Sequence, residues 1–209
     1  CEGLVGSEMC IRDSIKKIHS EDITAENVNR RLEGMDGILV APGFGGRGIQ
    51  GKIHAIRYLR EQGIPFFGIC LGMQCAVIEF ARNVLELGSA HSTEMDSFSD
   101  HPVIHLMDEQ EHVKSYGGTM RLGAYDCLLK PESLAASIYG NQKVISERHR
   151  HRFEFNNRYL ADFERNGMIA TGKNPPNDLV EIVEIPSHPF FVGVQFHPEY
   201  SSTVVNPHP

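Results

Sequence analysis

The sequence predicts an α/β protein with a mostly parallel central sheet, helices on both faces of that sheet and strand-rich additions in the C-terminal half. In the first half, short apolar runs alternate with stretches whose apolar residues recur near the helical period. This alternation favours parallel strands joined by helices that cover both faces. In the second half, short β-rich runs follow one another with few helical stretches between them, which predicts the additional strands.

The individual elements follow from the same periodicity and from turn residues. In the first half they are a strand at 15–18, a helix at 25–32 capped by Thr24, a strand at 37–41, a helix at 51–61 ended by Gly63, a strand at 65–69 and a helix at 71–87. In the second half they are strands at 103–107, 121–129 and 144–155, a helix at 158–165 that stops before Gly167, and strands at 168–172, 179–185 and 190–196. Such sheets place their functional sites at the C-terminal ends of the parallel strands.

The composition is typical of one globular enzyme domain. The 209 residues are 41% hydrophobic and 22% charged, which is enough apolar material for a sizeable core. The net charge of −7 and the lack of a basic stripe argue against a nucleic-acid partner. No apolar run approaches a membrane span, the N-terminus lacks a signal-peptide pattern, and the odd count of five cysteines favours reduced thiols. We therefore expect a cytoplasmic protein with no membrane partner.

Cys70 lies on a predicted tight turn between a strand and the helix that follows it. The segment 68–74 reads G-I-C-L-G-M-Q, with a glycine two residues before the cysteine and another two residues after it. This is the pattern of a nucleophile elbow, in which small neighbours allow a strained backbone to present the side chain. The N-terminus of the helix is expected to lower the pKa of the thiol. From the elbow alone, a catalytic nucleophile and an ordinary buried cysteine both remain open.

A second segment favours the catalytic interpretation. The apolar strand at 190–196 runs into His197, Pro198 and Glu199, and the proline ends the hydrogen bonding of the strand. A carboxylate two residues from an imidazole can orient the ring, and a thiol nucleophile needs an oriented base. A lone histidine on an apolar strand is more often structural. Together with the elbow cysteine, however, the segment supplies a base and an orienting acid.

Other kinds of ligand site have weaker support. The glycine-rich segment 42–51 lacks the Gly-Lys-Ser/Thr ending of a phosphate-binding loop. Its G-x-G-x-x-G spacing lacks the acidic residue that ends a second strand in dinucleotide-binding folds, because the nearest acid, Glu61, lies within a predicted helix. His149 and His151 alternate along a predicted strand, but no Cys or Asp cluster completes a ligand set, so no metal site is expected.

Five segments together carry a resemblance to a known family. The elbow at 68–74 and the F-H-P-E at 196–199 resemble the class I (triad) glutamine amidotransferases. P-G-F-G-G-R-G at 42–48, G-G-T-M-R-L-G at 117–123 and E-R-H-R-H-R-F-E at 147–154 are similar to the glutaminase domain of CTP synthases, and the last two are the more specific. The resemblance covers nearly the whole chain and implies a flavodoxin-like class I amidotransferase fold.

The resemblance also implies roles for the residues of the elbow and the strand end. Cys70 would attack the side-chain amide of glutamine and form a γ-glutamyl thioester. His197 would transfer the protons, and Glu199 would hold the imidazole and stabilise its charged form. Backbone N–H groups of Gly43 and Leu71 would form the oxyanion hole.

Five residues match positions that bind glutamine in this family, namely Gly43, Phe44, Gln74, Glu94 and Arg152. Phe44 would lie at the mouth of the pocket. A zwitterionic ligand needs an acid for its ammonium and a cation for its carboxylate, and Glu94 and Arg152 would supply them. Without the resemblance, Gln74 reads as an exposed residue in the first turn of a helix, and Glu94 reads as an ordinary solvated acid.

The function implied by the resemblance is hydrolysis of glutamine to glutamate and ammonia, which supplies nitrogen to a synthetase domain that makes CTP from UTP with ATP. That domain, normally on the same polypeptide, would hold ATP, UTP and magnesium and would form a homo-oligomer, with GTP as an effector. No cofactor is expected in this chain. Gln50 stands where the family often has Glu near a GTP-responsive loop. The alternatives are an amidotransferase of another pathway, a free γ-glutamyl hydrolase, and a non-catalytic regulatory or filament-forming module.

The two ends of the sequence depart from the family. Residues 1–13 show neither periodicity nor resemblance, and we expect a non-native or disordered segment there. Residues 14–209 are expected to be an amidotransferase domain truncated at both ends. The first strand and helix of the family's sheet and its closing helix find no counterpart in this sequence.

Overall fold

The computed structural model describes residues 14–106 and 120–209. Within these ranges the chain forms the helices α1 (Val28–Leu32), α2 (Ile49–Gln62), α3 (Leu71–Asn83), α4 (Leu134–Ile138) and α5 (Leu160–Arg165). The strands are β1 (Ile38–Val40), β2 (Phe66–Ile69), β3 (His91–Ser92), β4 (Pro102–Leu106), β5 (Arg121–Leu129), β6 (Val144–His151), β7 (Phe153–Phe155), β8 (Ile169–Asn174), β9 (Leu179–Glu184) and β10 (Phe191–Val194). Short 3-10 helices lie at Ser20–Asp22, Asn157–Tyr159 and Pro198–Tyr200.

Seven of these strands form one mixed sheet in the order β1-β2-β10-β9-β8-β5-β6. In the described part of the chain, its parallel pairs are β1 with β2 and β2 with β10, and the other neighbours pair antiparallel. The α/β class is confirmed, but the parallel part of the sheet is smaller than expected. The connections explain the difference, because short turns join β8 to β9 and β9 to β10, and a parallel pair would need a longer crossover.

The side chains of the parallel strands alternate between two apolar layers. Phe66 of β2 and Phe191 of β10 lie in the layer covered by α2 and α3, with ring centroids 4.4 Å apart. Val192 and Val194 of β10 lie in the opposite layer together with Ala135 of α4. Helices therefore cover both faces of the sheet, as predicted. The burial of these apolar side chains is the main driving force that fixes the ends of β2 and β10, where the site is built.

Most predicted elements are found within a few residues of their expected bounds. The predicted stop of α2 is confirmed, because Gly63 has a left-handed φ of 67° and its N–H bonds to the carbonyl of Leu59. The expected strand at 15–18 is wrong, since the chain has no regular structure there. The single strand expected at 144–155 is also wrong, because the chain leaves the large sheet at Arg152 and pairs β7 with β4 in a second sheet, β3-β4-β7.

Helix α4 was not predicted. It has five residues, too few to show a helical period, and its sequence signal is local. The side chain of Ser133 caps it by accepting a hydrogen bond from the N–H of Ala136 at 3.0 Å. The carboxylate of Glu184 accepts from the N–H of Leu134 at 3.1 Å and from that of Ala135 at 2.8 Å, so strand β9 fixes where the helix begins.

The remaining general features concern the cysteines and the helices. Cys70, Cys75 and Cys127 are buried free thiols. Across 14–106 and 120–209, every helix is too short or too polar to cross a membrane. The expectation for residues 1–13 lies outside the described residues, as do the first three residues of the segment at 117–123.

Candidate active site

Cys70 lies between the end of β2 and the start of α3, as the elbow pattern predicts. Its backbone has φ 51° and ψ −102°, which is strained for a residue that carries a Cβ atom. A Cβ atom on Gly68 would lie 2.8 Å from the carbonyl carbon of Gly72, and one on Gly72 would lie 2.3 Å from the carbonyl oxygen of Val40. Both glycines are needed because the turn packs tightly against itself and against β1.

The thiol of Cys70 is buried, and burial raises its pKa to about 12. The backbone N–H of Leu71 acts in the opposite direction, and the charges of Glu154, Glu199 and Glu94 raise the pKa further. The N-terminus of the helix thus acts on the pKa in the expected direction, but loss of hydration outweighs it and the net pKa of the thiol is raised. The sulfur needs a base to become a nucleophile.

Strand β10 brings His197 to the same end of the sheet as the cysteine. The N–H of Cys70 donates to the carbonyl of Val194 at 2.7 Å, three residues before the histidine. The N–H of His197 donates to the carbonyl of Arg148 at 2.8 Å, which ties the histidine to β6 as well. These backbone hydrogen bonds hold the cysteine turn and the histidine at adjacent strand ends.

Glu199 orients the imidazole of His197. Nδ1 of the ring lies 2.7 Å from a carboxylate oxygen of Glu199, and the ring stacks on Tyr200 with centroids 4.8 Å apart. An ionised carboxylate only accepts hydrogen bonds, so Nδ1 carries the proton and Nε2 is the basic atom. Within the described residues, Nε2 is buried and has no hydrogen-bond partner. A basic nitrogen in this state is ready to take the proton of a nucleophile.

Gln195 also reaches the sulfur, although it was not among the predicted site residues. It is fully buried just after β10, and its Nε2 lies 3.6 Å from Sγ of Cys70. Its Oε1 accepts from Nε2 of Gln74 at 3.2 Å. The signal that could have found it is an amide side chain inside an otherwise apolar run, two residues before His197.

A cavity of about 350 Å³ opens beside Cys70. Its lining residues are Phe44, Cys70, Gln74, Glu94, Met120, Arg150, His151, Arg152 and Phe153. Four of the predicted glutamine-binding residues thus share one pocket with the predicted nucleophile. The cavity is of a size that holds a small polar ligand, and it offers an acid and a cation to a zwitterion.

The remaining predicted contact, Gly43, adjoins the elbow. A Cβ atom on Gly43 would lie 3.2 Å from the side chain of Leu71, so the two predicted oxyanion donors belong to neighbouring backbone segments. Glu94 holds the same loop, because its carboxylate accepts from the N–H of Gly45 at 2.9 Å. Phe44, between the two glycines, is 59% exposed, as expected for a residue at the pocket mouth.

Gln74 is buried, so the reading of an exposed residue in the first helical turn is wrong. Its Nε2 donates to the carbonyl of Phe153 at 3.1 Å and to Oε1 of Gln195 at 3.2 Å. Both amide protons are therefore engaged within the protein. Oε1 is the atom of this side chain that could receive a ligand ammonium.

Arg152 occupies the break between β6 and β7. On one side His151 pairs with Arg121 of β5 in the large sheet, and on the other side Phe153 pairs with Leu106 of β4 in the small sheet. Because the chain changes sheets at this residue, Arg152 belongs to neither ladder. Its side chain lines the pocket instead.

A cluster of buried charges lies on β5, β7 and β9. The guanidinium of Arg121 lies 2.6 Å from a carboxylate oxygen of Glu181 and 3.3 Å from one of Glu154. Burial raises the pKa of Glu181 to about 7, and it raises the pKa of Glu154 well above its usual value, although the arginine acts against both shifts. The cluster is therefore held together by one cation that faces two acids.

His149 and His151 of β6 adjoin this cluster as a neutral pair. Nδ1 of His149 lies 2.8 Å from Nε2 of His151. Nδ1 of His151 faces the carbonyl of Phe153 at 3.3 Å and so carries the proton, which leaves Nε2 to accept from His149. Burial lowers the pKa of His149 to about 2 and that of His151 to about 3. The part of the chain that the structure describes contains no group of three or more ligands that could hold a metal ion.

Comparison with protein families and curated proteins gives a consistent result. Residues 11–209 match the family model described as glutamine amidotransferase class-I. A CTP synthase from Flavobacterium johnsoniae is 59% identical over 196 residues, which are 94% of this chain and 36% of that protein. A CTP synthase from Halalkalibacterium halodurans is 58% identical, with 94% of this chain and 37% of that protein covered. The chain spans about a third of the length of these relatives.

Two solved structures show how far the likeness extends. The glutaminase domain of Trypanosoma brucei CTPS with bound acivicin matches with a TM-score of 0.89 and 39% identity, over 96% of this chain and 78% of that chain. A glutamine amidotransferase from Thermotoga maritima matches with a TM-score of 0.53 and 15% identity, over 88% of this chain and 74% of that chain. The second likeness concerns the fold alone.

Proposed function

Because the chain belongs to the class I glutamine amidotransferase family, in its CTP synthase branch, we propose that it hydrolyses glutamine through a thioester on Cys70. The observation that carries the proposal is the imidazole of His197. Glu199 holds its Nδ1, and its Nε2 is buried and unpartnered among the described residues, at the strand end beside the elbow cysteine. Nucleophile, base and orienting acid thus come from two adjacent strand ends.

The first half of the reaction forms the thioester. Nε2 of His197 takes the proton of the Cys70 thiol, and the sulfur attacks the carboxamide carbon of glutamine. The backbone N–H groups of Gly43 and Leu71 stabilise the negative charge on the carboxamide oxygen, and one such donor typically lowers the barrier by about 3 kcal/mol. The carbon–nitrogen bond then breaks as the imidazolium returns its proton to the leaving nitrogen, and ammonia departs.

The second half regenerates the enzyme. A water molecule attacks the thioester carbon while Nε2 of His197 takes one of its protons, and glutamate leaves as the carbon–sulfur bond breaks. The imidazolium then returns its proton to the sulfur of Cys70. Glu199 keeps the ring in one tautomer throughout, since its carboxylate accepts from Nδ1. Because burial keeps the resting thiol protonated, the step most sensitive to His197 is the first proton transfer.

The pocket residues would bind the amino-acid end of glutamine. Arg152 offers a guanidinium to the carboxylate, and Glu94 and Oε1 of Gln74 offer acceptors to the ammonium. Phe44 would cover the mouth of the pocket. Because Glu94 also accepts from the N–H of Gly45, binding of the ammonium and the position of the Gly43 loop are linked through one carboxylate.

The ammonia would pass to a synthetase domain that aminates UTP to CTP. The curated relatives are CTP synthases about three times as long as this chain, which supports a second catalytic region on the same polypeptide. In this proposal ATP, UTP and magnesium bind that region, GTP acts as an effector, and the region forms the homo-oligomer. Gln50, which accepts from Arg82 at 3.4 Å, lies in the first turn of α2, at the position where the family often has Glu near a GTP-responsive loop.

Covalent labelling tests the nucleophile directly. A diazo-ketone analogue of glutamine is added to the intact polypeptide, and the adduct is located by peptide mass spectrometry. We expect one adduct, on Cys70, which disappears in His197→Ala, and we expect glutamate release to fall at least about 1000-fold in Cys70→Ala. Cys75→Ala, which replaces a buried cysteine within α3, is the matched control and should label normally. Labelling at Cys75 or Cys127 would contradict the assignment.

Isotope transfer separates the proposed pathway from the alternatives. Glutamine labelled with ¹⁵N at its amide is incubated with the full-length polypeptide, UTP, ATP and Mg²⁺. Appearance of the label in CTP supports the CTP synthase function. Glutamate release with all of the label left as ammonia would instead favour a free γ-glutamyl hydrolase or the amidotransferase of another pathway, and absence of both products would favour a non-catalytic module.

A further inference from the structure

A chain of hydrogen bonds through two buried amides ends on the sulfur of Cys70. Nε2 of Gln74 donates to the carbonyl of Phe153 at 3.1 Å and to Oε1 of Gln195 at 3.2 Å. Nε2 of Gln195 in turn lies 3.6 Å from Sγ of Cys70, within hydrogen-bond range for a sulfur acceptor. The backbone carbonyl of Phe153 is therefore connected to the reacting atom through two side chains.

The carbonyl of Phe153 decides which way both amides point. A carbonyl oxygen only accepts, so the group of Gln74 that faces it is the NH₂ group, and its second proton is directed at Gln195. The group of Gln195 that receives this proton is then its oxygen. Its NH₂ group is left to face Cys70. The orientation follows from the network, because the reverse orientation of either amide would set two acceptors or two donors against each other.

We propose that Gln195 is a further residue of the catalytic centre, whose amide N–H donates to the sulfur of Cys70 and stabilises the thiolate that attacks glutamine. This inference rests on the thioester chemistry proposed above. A hydrogen bond to a charged acceptor is roughly twice as strong as one between neutral groups, so the contact gains strength when the thiol loses its proton. Gln74 acts as a positioning residue, since it fixes the amide of Gln195 from behind.

The charges around the sulfur show why such a donor matters. Glu154, Glu199 and Glu94, from three different segments, all oppose the thiolate, and burial opposes it most strongly. The backbone N–H of Leu71 favours the thiolate, and His197 becomes a cation when it accepts the proton. Gln195 adds a neutral donor that compensates for lost hydration and introduces no further charge into the pocket wall.

A backbone hydrogen bond fixes Gln195 in its position next to the sulfur of Cys70. Its N–H donates to the carbonyl of Glu181 at 2.8 Å, which continues the pairing of β10 with β9 beyond the strand end. Gln195 directly follows β10 and lies two residues before His197, and both residues are buried at the same strand end. One strand end thus delivers the amide that holds the sulfur and the imidazole that deprotonates it.

The test measures how readily the Cys70 thiol ionises. Iodoacetamide alkylates thiolates and does not need bound glutamine, so its rate at Cys70, followed by peptide mass spectrometry from pH 6 to 10, is proportional to the thiolate fraction and reports any shift in the pKa of the thiol. In Gln195→Leu we expect this pKa to rise by about one unit, with alkylation at pH 8 slowed about tenfold. Gln74→Met should shift the profile in the same direction, because the freed amide can turn its oxygen to the sulfur.

Asn174→Leu is the matched control for loss of a buried amide. Asn174 is buried on β8, and its Nδ2 donates to the carbonyl of Asp126 at 2.8 Å. Replacement of Asn174 by leucine therefore has a similar cost in stability but does not affect the surroundings of the sulfur. This variant should keep the wild-type alkylation profile. A folded Gln195→Leu variant with an unchanged profile would overturn the proposal. If Gln195→Leu and Gln195→Met both fail to fold while Asn174→Leu folds, the role of Gln195 is structural and the proposal is also wrong.

The experiment distinguishes this inference from the proposed function. Alkylation needs neither glutamine nor turnover, so the profile can be measured even if the wild-type protein releases no glutamate. If the wild-type protein shows no glutaminase activity, the proposed function is wrong, and the alkylation profile still tests the hydrogen bond from Gln195 to Cys70. If the wild-type protein hydrolyses glutamine and all variants keep the wild-type alkylation profile, the proposed role of Gln195 is wrong and the proposed function is unaffected.

Discussion

The parallel and antiparallel parts of the large sheet are built in opposite ways. In the parallel part, Cys70 and His197 follow the ends of β2 and β10, and their reactive atoms are not consumed by structural ion pairs. In the antiparallel part and the adjoining β7, Arg121, Glu181 and Glu154 lie on paired strands and are bound to one another. Both regions are buried and polar. The first adjoins the cavity beside Cys70, whereas the charged groups of the second are paired with one another.

The two regions therefore depend on different structural features. The strand ends that carry Cys70 and His197, which we call the reactive end, depend on local backbone strain. The glycines on either side of Cys70 make this strain possible. The charge cluster depends on long-range pairing, in which each charge is tolerated only because its partners are present. The first region should therefore respond to a single added methyl group, and the second to the removal of a single charge. Three changes test this contrast.

Removal of the one cation of the cluster should have the largest effect. In Arg121→Met, the carboxylates of Glu181 and Glu154 lose their shared partner while remaining buried, and the packing of the guanidinium over the ring of Tyr125 at 4.3 Å is lost. We expect the free energy of unfolding to fall by about 3–5 kcal/mol. Urea denaturation at pH 8, above the pKa of about 7 of Glu181, measures it.

The matched control removes an arginine from a solvent-exposed pair. Arg57 pairs with Glu61 one helical turn away on α2, and both side chains are more than 40% exposed. Arg57→Met should lower the free energy of unfolding by no more than about 0.5 kcal/mol. Equal losses in the two variants would mean that the buried cluster is not held together by its charges.

A single methyl group should break the reactive end. In Gly72→Ala the new Cβ atom would lie 2.3 Å from the carbonyl oxygen of Val40, which cannot move without displacing β1. We expect a loss of about 1–3 kcal/mol in the free energy of unfolding, together with loss of diazo-ketone labelling at Cys70. Gly88→Ala is the control, because a Cβ atom there has no neighbour within 4 Å. A Gly72→Ala protein with full labelling would show that the elbow tolerates the shift.

The smallest effect concerns pH and the neutral histidine pair. The pKa of His151 is about 3 in the folded chain, below the ordinary value of 6.5, so between these values the unfolded chain binds a proton that the folded chain does not. His151 therefore contributes stability that is present above pH 6.5 and is lost as the pH falls. Relative to wild type, His151→Gln should gain on the order of 1 kcal/mol per pH unit below pH 6.5.

Urea denaturation of both proteins at pH 7, 6 and 5 gives this slope. Glu181 has a raised pKa and acts with the opposite sign between about pH 4.5 and 7, but it is present in both proteins, so it largely cancels from the difference. Two stability curves that stay parallel over this range would contradict the assignment of a neutral His151. The comparison thus reports on the histidine and not on the total charge of the cluster.

The reactive end was largely predictable from the sequence, and the charge cluster was not. Cys70 and its glycines are contiguous, and their spacing encodes a strained turn, so the elbow and the helix after it could be recognised locally. Arg121 and Glu181 are distant in the chain and lie on β5 and β9, which β8 separates in the sheet order, so no local pattern states that they meet. Gln195 was missed for a related reason, since its orientation depends on a carbonyl from β7.

Two expectations failed where the surroundings of a segment outweighed a local rule. The helix N-terminus suggested an acidic thiol at Cys70, but loss of hydration raises its pKa. The β-rich run at 144–155 suggested one strand, but the chain divides it between two sheets at Arg152. Both outcomes depend on what surrounds the segment in three dimensions.

The division at Arg152 has a mechanical consequence for that residue. Leu106 and Arg121 are the last residue of β4 and the first of β5, and they pair with Phe153 and His151, the immediate neighbours of Arg152. A displacement of Leu106 or of Arg121 is therefore transmitted through two backbone ladders to the two sides of Arg152. In the proposed function Arg152 binds the carboxylate of glutamine, so a shift of one sheet relative to the other would change the affinity for glutamine.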